Sequence, residues 1–256
     1  MSGLVIHVVG TDTDVGKTVA TATIAAYLRA KGAQIAIYKP VQTGVTDQQP
    51  GDAALAALLS GADAYEGCRF SRPMAPVVAA KLEGRPLLPL SAHIATISQL
   101  GEEYEFVLVE GAGGVTVDLA SAKTRGYRRQ NQAHLIEYGE LERLEQKTVI
   151  VARSGLGTLN HIGLTGEYLR SRDIDPAGVV IGSWPCSPSE VEISNIDFLK
   201  KTGFKVLAQI QEGAGKNFVV GEHDNFLHSQ EEIMEFRQNA SSWFTEAFDA
   251  CFKDYF

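Results

Sequence analysis

Short runs of consecutive apolar, β-branched residues alternate along the chain with longer stretches whose apolar positions recur three or four apart. The first run, Leu4-Val-Ile-His-Val-Val9, stops at Gly10. Unbroken apolarity of this kind marks a parallel strand covered on both faces. From Val19 to Ala30, Ala, Ile, Tyr and Leu fall at helical spacing, and Lys31-Gly32 supplies a stop. Residues 35–38 predict a second strand, 53–59 a helix, and 91–100 another helix with Ser91 as its N-cap. The run Phe106-Val-Leu-Val109 predicts the next strand and leads into Glu110-Gly-Ala-Gly-Gly114. Further strands are expected over 148–152, 178–181 and 205–209, with helices over 159–169 and 191–200. Strands alternating with helices predict an α/β fold, a mostly parallel sheet flanked by helices on both faces. No internal repeat, linker or composition shift divides the chain, so residues 1–256 read as a single domain.

Two segments break the rhythm. Residues 120–146 are long and polar, with Arg125, Arg128 and Arg129 clustered; a surface loop and a helix over 134–144 are expected there. Residues 230–252 predict one amphipathic helix on the outside of the sheet.

Composition narrows the partners. The formal net charge is −8, which argues against a nucleic-acid partner, although a local phosphate site can still be positive. Three cysteines, Cys68, Cys186 and Cys251, lie far apart and are odd in number, which suits a reducing cytoplasm and neither a zinc site nor a disulfide framework. The chain runs from Met1 into a strand without a basic leader, and no apolar stretch is long enough to span a bilayer. A cytoplasmic protein without membrane partners is expected.

The strongest chemical signal is Gly10-Thr-Asp-Thr-Asp-Val-Gly-Lys-Thr18, which follows the first strand and opens the first helix. A phosphate-binding loop needs that context: backbone N–H groups wrap the phosphates, Lys17 reaches the β/γ oxygens, and Thr18 offers a hydroxyl to Mg²⁺. The pattern is a variant, because Thr11 stands where glycine is common and the glycine falls one residue earlier, at Gly10. Asp12 and Asp14 are unusual beside a polyphosphate; either they face solvent and cap the helix, or one meets a cationic substrate group. Lys39 closes the second predicted strand, where an open parallel sheet presents its ligand crevice. Glu110 closes another, and a carboxylate beside glycines suits Mg²⁺. Asp52, on its own, reads as a helix N-cap. Asn160 lies inside a helix, where asparagine is a poor choice without a function.

Four blocks, in order, carry a resemblance: Gly10–Thr18, Tyr38-Lys-Pro-Val-Gln-Thr-Gly44, Val109-Glu-Gly-Ala-Gly-Gly114 and Gly155-Leu-Gly-Thr-Leu-Asn-His161. Together they resemble the dethiobiotin synthetase family, within the P-loop NTPases, from about residue 5 to residue 215. The resemblance implies an ATP-dependent, Mg²⁺-dependent ligase of biotin biosynthesis that acts on 7,8-diaminopelargonate and CO₂ as a homodimer. It assigns catalytic roles to Thr11, Lys17 and Lys39, and substrate contacts to Thr43 and Asn160. Nucleotide contacts fall to Asp14, Val15, Gly16, Lys17, Thr18 and Val19, to Asp52, and to Glu110, Gly111, Ala112 and Gly113. Thr18, Asp52 and Glu110 become the metal ligands. Base recognition falls to Gly182 and Ser183 and to Ile210, Gln211 and Glu212. Here the chain departs from the family pattern: Gly182-Ser183 replaces a common Asn-Asp, so tolerance of other triphosphates is expected. Met74-Ala75-Pro76 replaces a Ser-Pro motif, and the 120–146 segment is longer than usual. The rivals are an amide ligase of the cobyrinic acid synthase type and a MinD/ParA-like ATPase switch. The first lacks a glutaminase cysteine here, and the second lacks its lysine early in the loop.

Overall fold

A computed structural model describes residues 3–120, 129–215 and 230–255. The strands are β1 (Leu4–Gly10), β2 (Ile35–Thr43), β3 (Asp63–Phe70), β4 (Phe106–Gly114), β5 (Gln146–Ala152), β6 (Gly178–Trp184) and β7 (Val206–Gln211). They form one seven-stranded sheet in the order β3-β2-β4-β1-β5-β6-β7, in which all neighbouring strands run parallel. The helices are α1 (Lys17–Ala30), α2 (Asp52–Ser60), α3 (Pro76–Glu83), α4 (Leu90–Glu103), α5 (Gln132–Leu141), α6 (Thr158–Arg170), α7 (Glu190–Lys201), α8 (Gln230–Ala240) and α9 (Glu246–Phe252).

Burial explains the apolar runs. Leu4, Ile6 and Val8 of β1 pack on one side with Ile24, Leu28, Leu59 and Phe248. Val5 faces the other side with Ile94 and Ile97, and Val9 faces it with Ile136 and Ile162. A strand covered on both faces has no solvent side on which to alternate. The sheet order then sets the site. β1 lies between β4 and β5, and β2 lies beyond β4, so the segments following β1, β2 and β4 converge at one edge. Ligands of open parallel sheets bind at that edge.

Several boundaries differ from expectation. β2 and β4 run on to Thr43 and Gly114, so Lys39 and Glu110 lie inside their strands instead of closing them. Neither β3 nor α3 is foreshadowed by an apolar run. β3 is an edge strand, half-exposed along most of its length and interrupted by Gly67, and α3 is only 8 residues long. Ser91 is not a cap: Pro89 occupies the cap position of α4, and Ser91 falls in the first turn. α5 starts two residues before the expected 134, because the Asn131 side chain accepts from the N–H groups of Ala133 and His134. The expected C-terminal helix is two helices. A 3₁₀ turn at Ser241–Trp243 and an extended Phe244 separate them, which brings Phe244 and Phe248 to 4.5 and 5.3 Å from the Tyr27 ring. Arg125 and Arg128 lie outside the described residues.

Candidate functional site

The loop between β1 and α1 explains its own variant spelling. A Cβ at residue 10 would come within 2.7 Å of the Gly113 carbonyl and 2.8 Å of Lys17 Nζ, so glycine is needed there. Residue 11 carries no such restriction, and the buried Oγ1 of Thr11 finds no hydrogen-bond partner among the described residues. Asp14 and Gly16 adopt left-handed backbone at φ 56° and 91°. Gly16 occupies the cap position of α1 without a side-chain cap, so neither Asp12 nor Asp14 caps that helix. Both aspartates are exposed; Asp12 accepts from the Thr13 N–H and lies 3.5 Å from Arg153. Backbone amides at the start of a helix can bind an anion. Val15 is buried, and a Cβ at Gly182 would collide with its carbonyl oxygen. Val19 packs on the adjoining turn, against Gly215.

Beside the loop lies a buried charge cluster. Lys39 is 3 % exposed, and its Nζ lies 2.6 Å from Asp52 Oδ2, 2.8 Å from Glu110 Oε1 and 3.1 Å from the Gly111 carbonyl. Thr18 Oγ1 donates to the same Glu110 oxygen at 2.9 Å. Asp52 is the first residue of α2, after Gly51 in the cap position, so its side chain is not a cap. Its backbone N–H donates to Gln42 Oε1 at 2.8 Å, which leaves the carboxylate aimed at Lys39. Burial alone would lower the pKa of Lys39, but the charges of Glu110 and Asp52 outweigh it and raise the ammonium above the ordinary lysine value. Burial alone would raise the Asp52 carboxyl; the neighbouring Lys39 ammonium reverses this and holds it below the usual range. Lys17 is pushed down by burial and then by Lys39, and its Nζ donates to the Asp12 carbonyl at 3.0 Å.

Thr18, Lys39, Asp52, Glu110 and Gly111 are therefore in direct contact, with Lys17 within electrostatic reach. The other expected residues are spread along the same sheet edge. Thr43 ends β2, half-buried, and Gly182 lies under the loop. Ser183, Gln211 and Glu212 are exposed at the ends of β6 and β7, with Ile210 buried; the Glu212 N–H donates to the Trp184 carbonyl at 2.7 Å. Asn160 stands apart, exposed on the outer face of α6 near Leu156 and Leu164, which are 89 % and 59 % exposed.

A family model described as an AAA domain matches residues 5–214. The ATP-dependent dethiobiotin synthetase BioD of Rhodococcus jostii is 41 % identical over 214 residues, covering 83 % of this chain and 88 % of that protein. Its namesake in Streptomyces avermitilis is 41 % identical over 221 residues, 85 % of this chain and 87 % of that one. The chain belongs to the dethiobiotin synthetase family. Solved structures agree on the fold alone. The cell division ATPase MinD of Pyrococcus furiosus has a TM-score of 0.50 at 15 % identity, covering 94 % of this chain and 99 % of that one. A variant of Cyanothece McdA in complex with ATP has a TM-score of 0.51 at 12 % identity, covering 98 % of this chain and 96 % of that one.

For a dethiobiotin synthetase, the donor set suits Mg²⁺. Glu110 Oε2 is buried without a partner among the described residues, and the Thr18 hydroxyl adjoins the same carboxylate. No group of three or more His, Cys, Asp and Glu side chains placed to hold a metal exists among the described residues. Sequence reasoning missed two buried amides beside the Lys39 cluster. Gln42 holds the Asp52 amide, and Gln132 donates to the Val109 carbonyl at 3.1 Å while filling the space a Cβ at Gly111 would need. A polar residue inside an otherwise buried strand was the available signal for Gln42. Gln132 offered none before α5 was placed over β4.

Proposed function

We propose that this chain is an ATP-dependent cyclo-ligase that closes the ureido ring of dethiobiotin from 7,8-diaminopelargonate and CO₂, releasing ADP and phosphate. The observation that carries the reading is the buried Lys39 ammonium shared between Asp52 and Glu110, beside a phosphate loop whose Thr18 touches the same Glu110.

One amine of the substrate adds to CO₂ and loses a proton, giving a carbamate anion. A carbamate oxygen attacks the γ-phosphorus as the bond to ADP breaks. The second amine then attacks the carbonyl carbon, expels phosphate, loses a proton and closes the ring. Lys17 and the amides of residues 14–19 hold the polyphosphate, and Gly111, Ala112 and Gly113 let it approach. Lys39, kept charged by its carboxylates, steadies the carbamate and the transferring phosphoryl group. The unpartnered Thr11 hydroxyl is a donor for the same oxygens. Thr18, Asp52 and Glu110 would hold Mg²⁺, which when bound neutralises charge on the phosphate oxygens. Thr43 contacts the diamine.

Base recognition involves Gly182, Ser183 and residues 210–212 without a bidentate side-chain amide. Turnover with CTP is therefore expected within about a hundredfold of that with ATP. The exposed face formed by Leu156, Asn160 and Leu164 supports a homodimer in which Asn160 meets the carboxylate tail of the substrate. The acidic charge disfavours nucleic acid. Among the described residues no helix is long and apolar enough to cross a membrane. Phosphate release that requires both bicarbonate and the diamine supports the reading. ATP hydrolysis indifferent to both, but stimulated by lipid vesicles, supports an ATPase switch instead.

A further inference from the structure

The edge strand β3 carries a polar device that no apolar pattern announces. Strand register sets Glu66 beside Lys39 and Arg69 beside Gln42. The Arg69 guanidinium forks onto Glu66, Nε to Oε1 at 2.7 Å and Nη2 to Oε2 at 2.8 Å. Its remaining face donates from Nη1 to the carbonyls of Thr46 and Gln49, at 2.7 and 2.6 Å. Those carbonyls belong to the loop joining β2 to α2, whose own turn closes with the Gln49 N–H on the Thr46 carbonyl at 3.1 Å. At the end of that loop, a Cβ on Gly51 would lie 2.6 Å from Glu66 Oε2, 2.8 Å from Gln42 Oε1 and 3.1 Å from Arg69 Nη2. Three polar side chains thus close around the residue before Asp52, and Gln42 takes the Asp52 amide itself.

We propose that Arg69, oriented by Glu66, is a positioning residue that fixes the residue 44–51 loop and so sets where the Asp52 carboxylate meets Lys39. None of these Arg69 hydrogen bonds reaches Lys39 or Asp52; the guanidinium acts through the loop backbone. A planar fork suits the task, because one guanidinium satisfies a carboxylate and two carbonyls at once, which an ammonium cannot do in the same plane. The role rests on the ligase reading, in which Asp52 serves the nucleotide and its metal.

The test compares R69M, R69K, E66Q, D52N and R69M/D52N. Binding of a non-hydrolysable ATP analogue is measured by calorimetry with Mg²⁺ and with EDTA, alongside melting curves and kcat. R69M is expected to reduce the Mg²⁺-dependent gain in nucleotide affinity about tenfold, as outer-shell partners of metal ligands do. Its kcat should fall about 10- to 100-fold, with R69K and E66Q intermediate. Binding in EDTA should stay within about twofold of the native protein, because contacts of the phosphate loop itself are untouched. In the double variant, R69M should add nothing to the D52N loss. Full additivity, or a native Mg²⁺-dependent gain in both R69M and E66Q, overturns the proposal. So does a loss in R69M with none in D52N. If R69M fails to fold, the R69K and E66Q arms decide in the same way. Failure of the ligase reading is distinguishable, because the native protein itself would then release no phosphate in response to bicarbonate and diamine.

Discussion

Lys39 determines the charge balance of the crevice. Two carboxylates within 2.8 Å of one ammonium are tolerable only while that ammonium is present. Lys39→Met should lower kcat about 10²- to 10³-fold, the scale seen when one preorganised donor to the transition state is lost. Single-turnover phosphate release checks this; a loss below about threefold would remove Lys39 from the chemistry. Gly182 makes a second residue-scale prediction. Because any Cβ there collides with the Val15 carbonyl, Gly182→Asn should weaken ATP binding about tenfold or more by displacing the loop, instead of adding a base contact. Calorimetric titration with ATP and CTP measures it, and tighter ATP binding would contradict the steric argument. At this scale the loop's spacing singled out Lys17 and Thr18, while Lys39 was singled out by its strand position and the family resemblance. The residue pattern around Asp52 reads as a cap, and only the family resemblance placed it among the ligands. Only the folded chain shows Gln42, from a different element, taking the Asp52 amide and freeing its carboxylate for Lys39.

Among the elements, the strands of the sheet centre were legible because burial on both faces leaves an unbroken apolar run, as in β1 and β4. β3 was not, since an edge strand half-exposed and carrying Glu66 and Arg69 has no such run. The C-terminal helices were legible in place and not in shape, because the break sets Phe244 against Tyr27, a residue far away in sequence. These helices lie beyond the residues matched by the family model, yet they reach the site's scaffolding. Arg237 of α8 donates from Nε to the Leu59 carbonyl at 2.8 Å and from Nη2 to the Leu58 carbonyl at 3.0 Å, closing the end of α2 opposite Asp52. Arg237→Ala should lower Tm by about 2–4 °C, the effect of roughly 1 kcal/mol in a chain of this size, with kcat unchanged. Calorimetric melting checks the first part and steady-state assay the second; an unchanged Tm would mean that α8 does not brace α2.

For the whole molecule, two core histidines contribute to the response to acid. Burial drives the pKa of His7, and likewise of His93, down from 6.5 to about 4. Their folded values lie below the unfolded ones, so the stability they permit is fully present above pH 6.5 and is lost as pH falls from there through about 4. The loss amounts to about 3 kcal/mol per histidine. Urea midpoints should therefore fall steadily between those two pH values, and a flat profile would contradict neutral burial. The sheet brings β1, β2 and β4 together with the charges carried on β2 and β4, and in the proposed reaction an oxygen of CO₂ becomes an oxygen of phosphate. Turnover of ATP and diamine with ¹⁸O-labelled CO₂, under conditions that limit exchange with water, measures that transfer by mass spectrometry of the released phosphate. The account predicts one labelled oxygen in each phosphate and one in the ureido carbonyl; phosphate carrying only solvent oxygen would contradict it.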